Sequence, residues 1–184
     1  MESQDTKGKI VKETLPSEIV SIIGSILGGI ILLFLILPFK SFTTLIIIIP
    51  ALLSLRGNLS GPYIARTSRD LIVGEFNKRS IFENILATYA LALVNALMIG
   101  FFSLLLNIII FGIVNLPVII LILIPTISIA FTLTLSIPFS TGLNVIAFNN
   151  GVDPNNVVGP VMSCIDDFLT VLCFYITILL LGVT

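Results

Sequence analysis

Histidine is absent from the chain, which removes the commonest imidazole metal ligand and general base. Cysteine is nearly absent too. Cys164 and Cys173 lie nine residues apart in one apolar stretch, more than two helical turns, so they cannot bridge within a helix or build a thiolate metal site. No P-loop pattern of the form G-x-x-x-x-G-K-[ST] occurs, which argues against direct drive by ATP. Charge is the scarcest property. Charged residues make up 10% of the 184 positions, against about 25% in a soluble domain. So few charges cannot cover a water-facing surface, and with 57% hydrophobic residues the chain is expected to be an integral membrane protein. A net charge of −1 leaves no basic patch for nucleic acid.

Long apolar runs are what the chain has in abundance. A hydrocarbon core about 30 Å thick needs roughly 20 apolar helical residues. The polar stretch 1–17 precedes the first run and is too short to fold as a sensor domain. Ile19–Phe39, 21 residues without a charge, is too long for a signal-peptide core and is expected to stay as a first span over about 19–39. Within it, Gly24 and Gly28-Gly29 offer a small-residue face for close helix packing. After Lys40 an uncharged run of only 15 residues reaches Leu55, with Pro50 inside it. A second span over about 41–58 is therefore expected as an interrupted helix. Residues 56–79, with five basic and two acidic side chains, are expected as an aqueous loop with at most a short interfacial helix. Asn84–Val152 then holds no charge over 69 residues, enough for two spans divided at Gly112–Pro117, over about 81–111 and 116–140. Pro125 and Pro138 are expected to bend the fourth, with Ser128, Thr132, Thr134 and Ser136 serving the carbonyls that the prolines leave. An Asn-rich turn leads to a fifth span over about 157–182. The expected fold is an all-α membrane unit of five helices.

An odd number of spans puts the termini on opposite sides. Lys7, Lys9 and Lys12 fall on one face with Arg56, Arg66, Arg69, Lys78 and Arg79, and Lys40 stands alone on the other. The excess of positive charge makes the N-terminus cytoplasmic and the C-terminus external, in a cell membrane.

The last span carries the chemistry. Asp166 and Asp167 sit side by side where lipid would be expected, and charges inside a bilayer usually have a task. Stepping from Pro160 by threes and fours gives Ser163, Asp167, Thr170, Phe174 and Thr177 on one face, four of them oxygen-bearing. Asp166 is rotated about 100° away. Pro160 has no N–H to give to the Asn156 carbonyl, which places an oxygen near the cytoplasmic mouth. Oxygen-only ligands suit hard cations such as Mg²⁺, Ca²⁺ and Mn²⁺, and Mg²⁺ is commonly held by one or two carboxylates through its remaining waters. On this pattern Asp167 is the candidate ligand, Asp166 a helper or structural partner, and Pro160, Ser163 and Thr170 line the path. The alternative is that both carboxylates pair with Arg56 or Arg66, or stay protonated.

Asp153-Pro-x-Asn156-x-x-Gly159-Pro160, with an Asp seven residues after the proline, resembles the fifth transmembrane helix of the MgtE family of magnesium transporters and of their eukaryotic solute-carrier relatives. Pro50, then Gly57-Asn58 and Ala65-Arg66-Thr67-Ser68, resembles the family's Gly-Asn signature after its second helix. The resemblance implies a homodimer with an ion path on the two-fold axis, lined by second and fifth helices. It places the ion-binding Asp at Asp167, the cytoplasmic-end Asp at Asp153 and the signature Asn at Asn58, with Gly57 beside the path. The chain departs from the family at Asp166, often Thr or Gly in relatives. It also has Gly61 and Pro62 where bacterial members carry a Gln. The large cytoplasmic nucleotide- and magnesium-sensing parts of the bacterial proteins have no counterpart in these residues.

The expected function is transport of a divalent cation, most of all Mg²⁺, with no cofactor beyond the transported ion and no enzymatic activity. One Asp167 makes a poor cation site, and a second copy would complete it. Two other readings stand beside this one. A membrane-embedded enzyme working through paired carboxylates would need them to face each other, which neighbours on one helix do not. A non-transporting scaffold subunit would suit the small size of the chain.

Overall fold

The computed structural model describes residues 7–112 and 116–183. The first six residues of the expected tail and the middle of the expected turn, 113–115, lie outside them. Every described element is helical: α1 (Lys7–Phe34), α2 (Ile36–Ser41), α3 (Thr44–Val73), α4 (Lys78–Phe111), α5 (Val118–Asn149) and α6 (Pro154–Leu180). All but α2 are long and apolar enough to cross a bilayer, giving five candidate spans. The helices that carry these spans run from 27 to 34 residues. At 1.5 Å per residue they measure about 40–51 Å and outrun a ~30 Å hydrocarbon core.

The helices exceed the spans expected from charge-free runs, and α3 departs furthest. It passes unbroken through Pro50, Arg56, Gly57 and Pro62 to Val73, so the expected interruption and the expected loop over 56–79 are replaced by one helix and a four-residue link. Arg56 marks no water boundary, because its charge is neutralised inside the protein (see below). The prolines each remove one ladder bond, which a helix packed among neighbours tolerates. α3 ends at Gly74, whose φ of 80° is the left-handed cap that glycine adopts without strain. α4 starts on an Asn77 cap that accepts from the amides of Arg79 and Ser80.

α3 occupies the middle, in contact with α4, α5 and α6, and α1 lies along the outer side of α6. Leu45, Ile48 and Leu52 of α3 interlock with Leu121, Ile124 and Phe174 from α5 and α6 in a fully buried apolar core. Two contacts depend on glycine. A Cβ on Gly24 of α1 would stand 2.5 Å from the Cβ of Cys164 on α6. One on Gly100 of α4 would stand 2.8 Å from the Cα of Ile122 on α5.

α5 carries its prolines differently from expectation. Pro125 and Pro138 leave the carbonyls of Leu121 and Thr134 without their i+4 amides. The threonines serve other carbonyls: Thr132 donates to Ser128 and Thr134 to Ala130, while Ser136 points to α6.

Candidate functional site

α3, α5 and α6 bring Arg56, Asp166 and Asp167 to one point. On α3, Arg56 and Ser60 are four residues apart and face inward together. On α6, Asp166 turns into the protein and is 0% exposed, while the Asp167 side chain keeps 33% of its surface. The roughly 100° between neighbouring helical positions produces this split.

Asp166 is fully served. Arg56 Nη1 donates to its Oδ2 at 3.0 Å, Ser60 Oγ donates to the same oxygen at 2.7 Å, and Ser136 of α5 donates to Oδ1. A carboxylate with three donors satisfies the rule that buried charge is paired and hydrogen-bonded. Asp167 takes the other prong of the same guanidinium, Arg56 Nη2, at 2.5 Å on Oδ1. Among the described residues its Oδ2 receives only Ser25 Oγ of α1, at 3.3 Å. The open alternative from the sequence is thus realised for Arg56, which bridges both carboxylates. Arg66 instead donates to Thr88.

The remaining sequence candidates fall in three places. Pro160 and Ser163 are half-buried on the stretch of α6 that precedes Asp167. Thr170, expected on the path, lies in the interior at 2% exposure and donates to the Asp166 carbonyl, as Phe174 and Thr177 above it are also buried. The stripe is continuous in the sequence but sinks into the protein core beyond Asp167. Asp153 caps α6, accepting from the amide and side chain of Asn155, and Asn156 donates its own amide to the Asp153 carbonyl. Fourteen residues of helix put Asp153 about 21 Å from Asp167. Gly57 and Asn58 are exposed on α3, about 100° and 200° around the helix from Arg56. Asn58 opens on a groove of about 320 Å³ between α3 and α4, with Ser54 and Asn95 in its lining. The chain therefore does not bring Asn58 to Asp167 within one copy.

Ser60 and Ser25 were not singled out by sequence. Ser60 carries one usable signal, its i+4 spacing from an intramembrane arginine. Ser25 carries none, since only the packing of α1 on α6 brings it to Asp167. Among the described residues no group of three or more His, Cys, Asp or Glu side chains could hold a metal. This cluster offers an ion one partly exposed carboxylate, Asp167, and does not itself provide the facing pair an aspartyl catalyst requires.

Comparison with protein families finds one description that fits this arrangement. The model of the MgtE family, "divalent cation transporter", matches residues 49–177, from the second turn of α3 to the last turn of α6, and so takes in Arg56, Asn58, Ser136 and both carboxylates. No curated protein matches the chain in sequence. With most of its length covered and five helices able to cross a bilayer, the chain is a multi-pass membrane protein of the MgtE family of divalent cation transporters.

Proposed function

We propose that two copies of this chain form a Mg²⁺ pathway on their two-fold axis, with Asp167 from each copy binding a partly hydrated ion. One observation carries this reading. Of the two neighbouring carboxylates in the middle of α6, Asp166 is sealed and satisfied, and Asp167 keeps exposed surface, with an oxygen held, among the described residues, only by a long bond from Ser25. Mg²⁺ gives up water reluctantly and is commonly bound by one or two carboxylates with several waters kept. A pair of Asp167 side chains supplies that number.

The exposed side of α3 supports the two-fold arrangement. Ser54, Gly57, Asn58, Gly61 and Ala65 are exposed there, small or polar where lipid would favour large apolar groups. A Cβ on Gly57 or Gly61 would meet nothing within 4 Å, so the face has room for a second helix or a hydrated ion. Asp153 and Asn156 stand at the α6 start as the cytoplasmic mouth, Gly57, Pro160 and Ser163 line the approach, and Asn58 faces the path from α3. The orientation follows from Arg66, Arg69, Lys78 and Arg79 clustering with the N-terminal lysines, so the N-terminus is cytoplasmic and the C-terminus external. Inward movement of one Mg²⁺ then gains about 4.6 kcal/mol per 100 mV of membrane potential, enough to drive uptake without nucleotide.

The test is Mg²⁺ uptake into proteoliposomes under an imposed potential. Asp167→Ala is expected to remove uptake while the protein stays folded, because Asp166 keeps Arg56 paired. Uptake by Asp167→Ala at the wild-type rate would refute the site.

A further inference from the structure

We propose that Arg56 is a built-in competitor for the ion and that Asp166 sets its strength, the two acting on Asp167 in opposite directions. The inference rests on Asp167 as the ion ligand and goes on to say what tunes it.

Asp166 cannot itself reach an ion. It is 0% exposed, and its oxygens already take Arg56, Ser60 and Ser136. What it does is hold one prong of the Arg56 guanidinium, Nη1 at 3.0 Å, in a direction that leaves the other prong, Nη2, on Asp167 at 2.5 Å. The third donor, Nε, is buried and has no hydrogen-bond partner among the described residues, so within them the two carboxylates are what anchors the guanidinium. A cation is thus already seated on the proposed ligand, and it is tethered. An arriving divalent ion has one open side, Asp167 Oδ2 with its 3.3 Å bond from Ser25, and gains the rest of the carboxylate by loosening Arg56.

The charges make the same point. One arginine against two carboxylates leaves −1 per copy, so two copies present −2 to one divalent ion. Without the arginine the pair of copies would carry −4, and an ion held that strongly would leave slowly, whereas conduction needs binding weak enough to release. Without the Asp166 charge the guanidinium would belong to Asp167 alone and the group would be neutral. A neighbouring opposite charge changes a carboxylate's affinity for a proton by about 10- to 1000-fold, and a metal ion competes in the same way.

Mn²⁺ binding to the purified protein in lipid nanodiscs, with thermal unfolding recorded alongside, tests this. Asp166→Asn keeps a hydrogen-bonding side chain of the same shape but hands Arg56 to Asp167, and it is expected to weaken Mn²⁺ binding about tenfold or more. Arg56→Gln combined with Asp166→Asn replaces the buried ion pair by a neutral one, which proteins commonly tolerate. It is expected to bind Mn²⁺ about tenfold more tightly than wild type and to carry a slower maximal Mg²⁺ flux. Asp167→Asn is expected to abolish binding in every background. A purely structural role for Arg56 and Asp166 would move binding and unfolding temperature together and in one direction. The inference is overturned if the double variant binds no more tightly than wild type, or if Asp166→Asn binds no more weakly, while Asp167→Asn still abolishes binding. If Asp167→Asn leaves binding intact, the Asp167 site itself is wrong and the inference goes with it.

Discussion

Arg56 Nη1 lies 3.0 Å from Asp166 Oδ2, with the arginine side chain 6% exposed and the carboxylate sealed, and the pair ties the middle of α3 to the middle of α6. The two residues are 110 positions apart in sequence. Each makes the other tolerable within a bilayer: a lone buried charge there costs several kcal/mol, and mutual pairing with two hydroxyls at the carboxylate removes most of that cost.

Removing one partner should therefore be expensive. Asp166→Ala leaves Arg56 buried with its Nη1 unpaired and is expected to cost about 3–5 kcal/mol of folding stability. Asp166→Asn, which retains acceptors for Ser60 and Arg56, should cost clearly less. Unfolding in detergent followed by circular dichroism measures both, and equal losses would show that the ion pair carries no special weight.

The packing of α1 on α6 gives a sterically defined prediction. Gly24→Ala places a methyl 2.5 Å from the Cys164 Cβ and should destabilise by about 1–3 kcal/mol, whereas Gly29→Ala meets nothing within 4 Å and should be near neutral. Comparison of the two unfolding midpoints checks the register of α1, and a Gly29→Ala as costly as Gly24→Ala would contradict it.

Much of this arrangement was readable before any coordinates. Long charge-free runs announced five spans, and the angle between adjacent helical positions separated Asp167 from Asp166. The extent of α3 was not readable, because an arginine after 15 uncharged residues looks the same whether it faces water or a buried carboxylate. The partners that distinguish those cases, Asp166 and Ser136, come from α6 and α5, far along the chain. The burial of Thr170 was not readable for a related reason. Helical periodicity assigns residues to a face but does not say where along its length that face passes from surface to core.

Accessibility to water follows the same boundary. With one cysteine added to the wild-type chain, a membrane-impermeant thiol reagent should label positions 57 and 163, at exposed Gly57 and half-buried Ser163. It should fail at position 170, where the Thr170 side chain is enclosed. Native Cys164 and Cys173 are buried and should contribute little background. Labelling at position 170 as fast as at 163 would mean that the open stripe continues past Asp167.

The face of α3 proposed to meet the second copy can be blocked without touching the fold of one chain. A Cβ on exposed Gly61 would meet nothing within 4 Å, so Gly61→Trp is expected to leave the unfolding free energy within about 0.5 kcal/mol of wild type. Chemical crosslinking in detergent should show less dimer, and Mg²⁺ flux should fall with it. A variant that remains dimeric and fully active would remove α3 from the interface.

The central claim concerns a single position, the space between two copies of Asp167. Crystals or particles prepared in Mn²⁺ allow the metal to be located directly, by anomalous scattering or by density difference against a metal-free sample. The account predicts a peak on the two-fold axis within carboxylate or water-bridged distance of both Asp167 side chains, absent from Asp167→Asn. Metal density elsewhere in the spans with both Asp167 side chains uninvolved would contradict it.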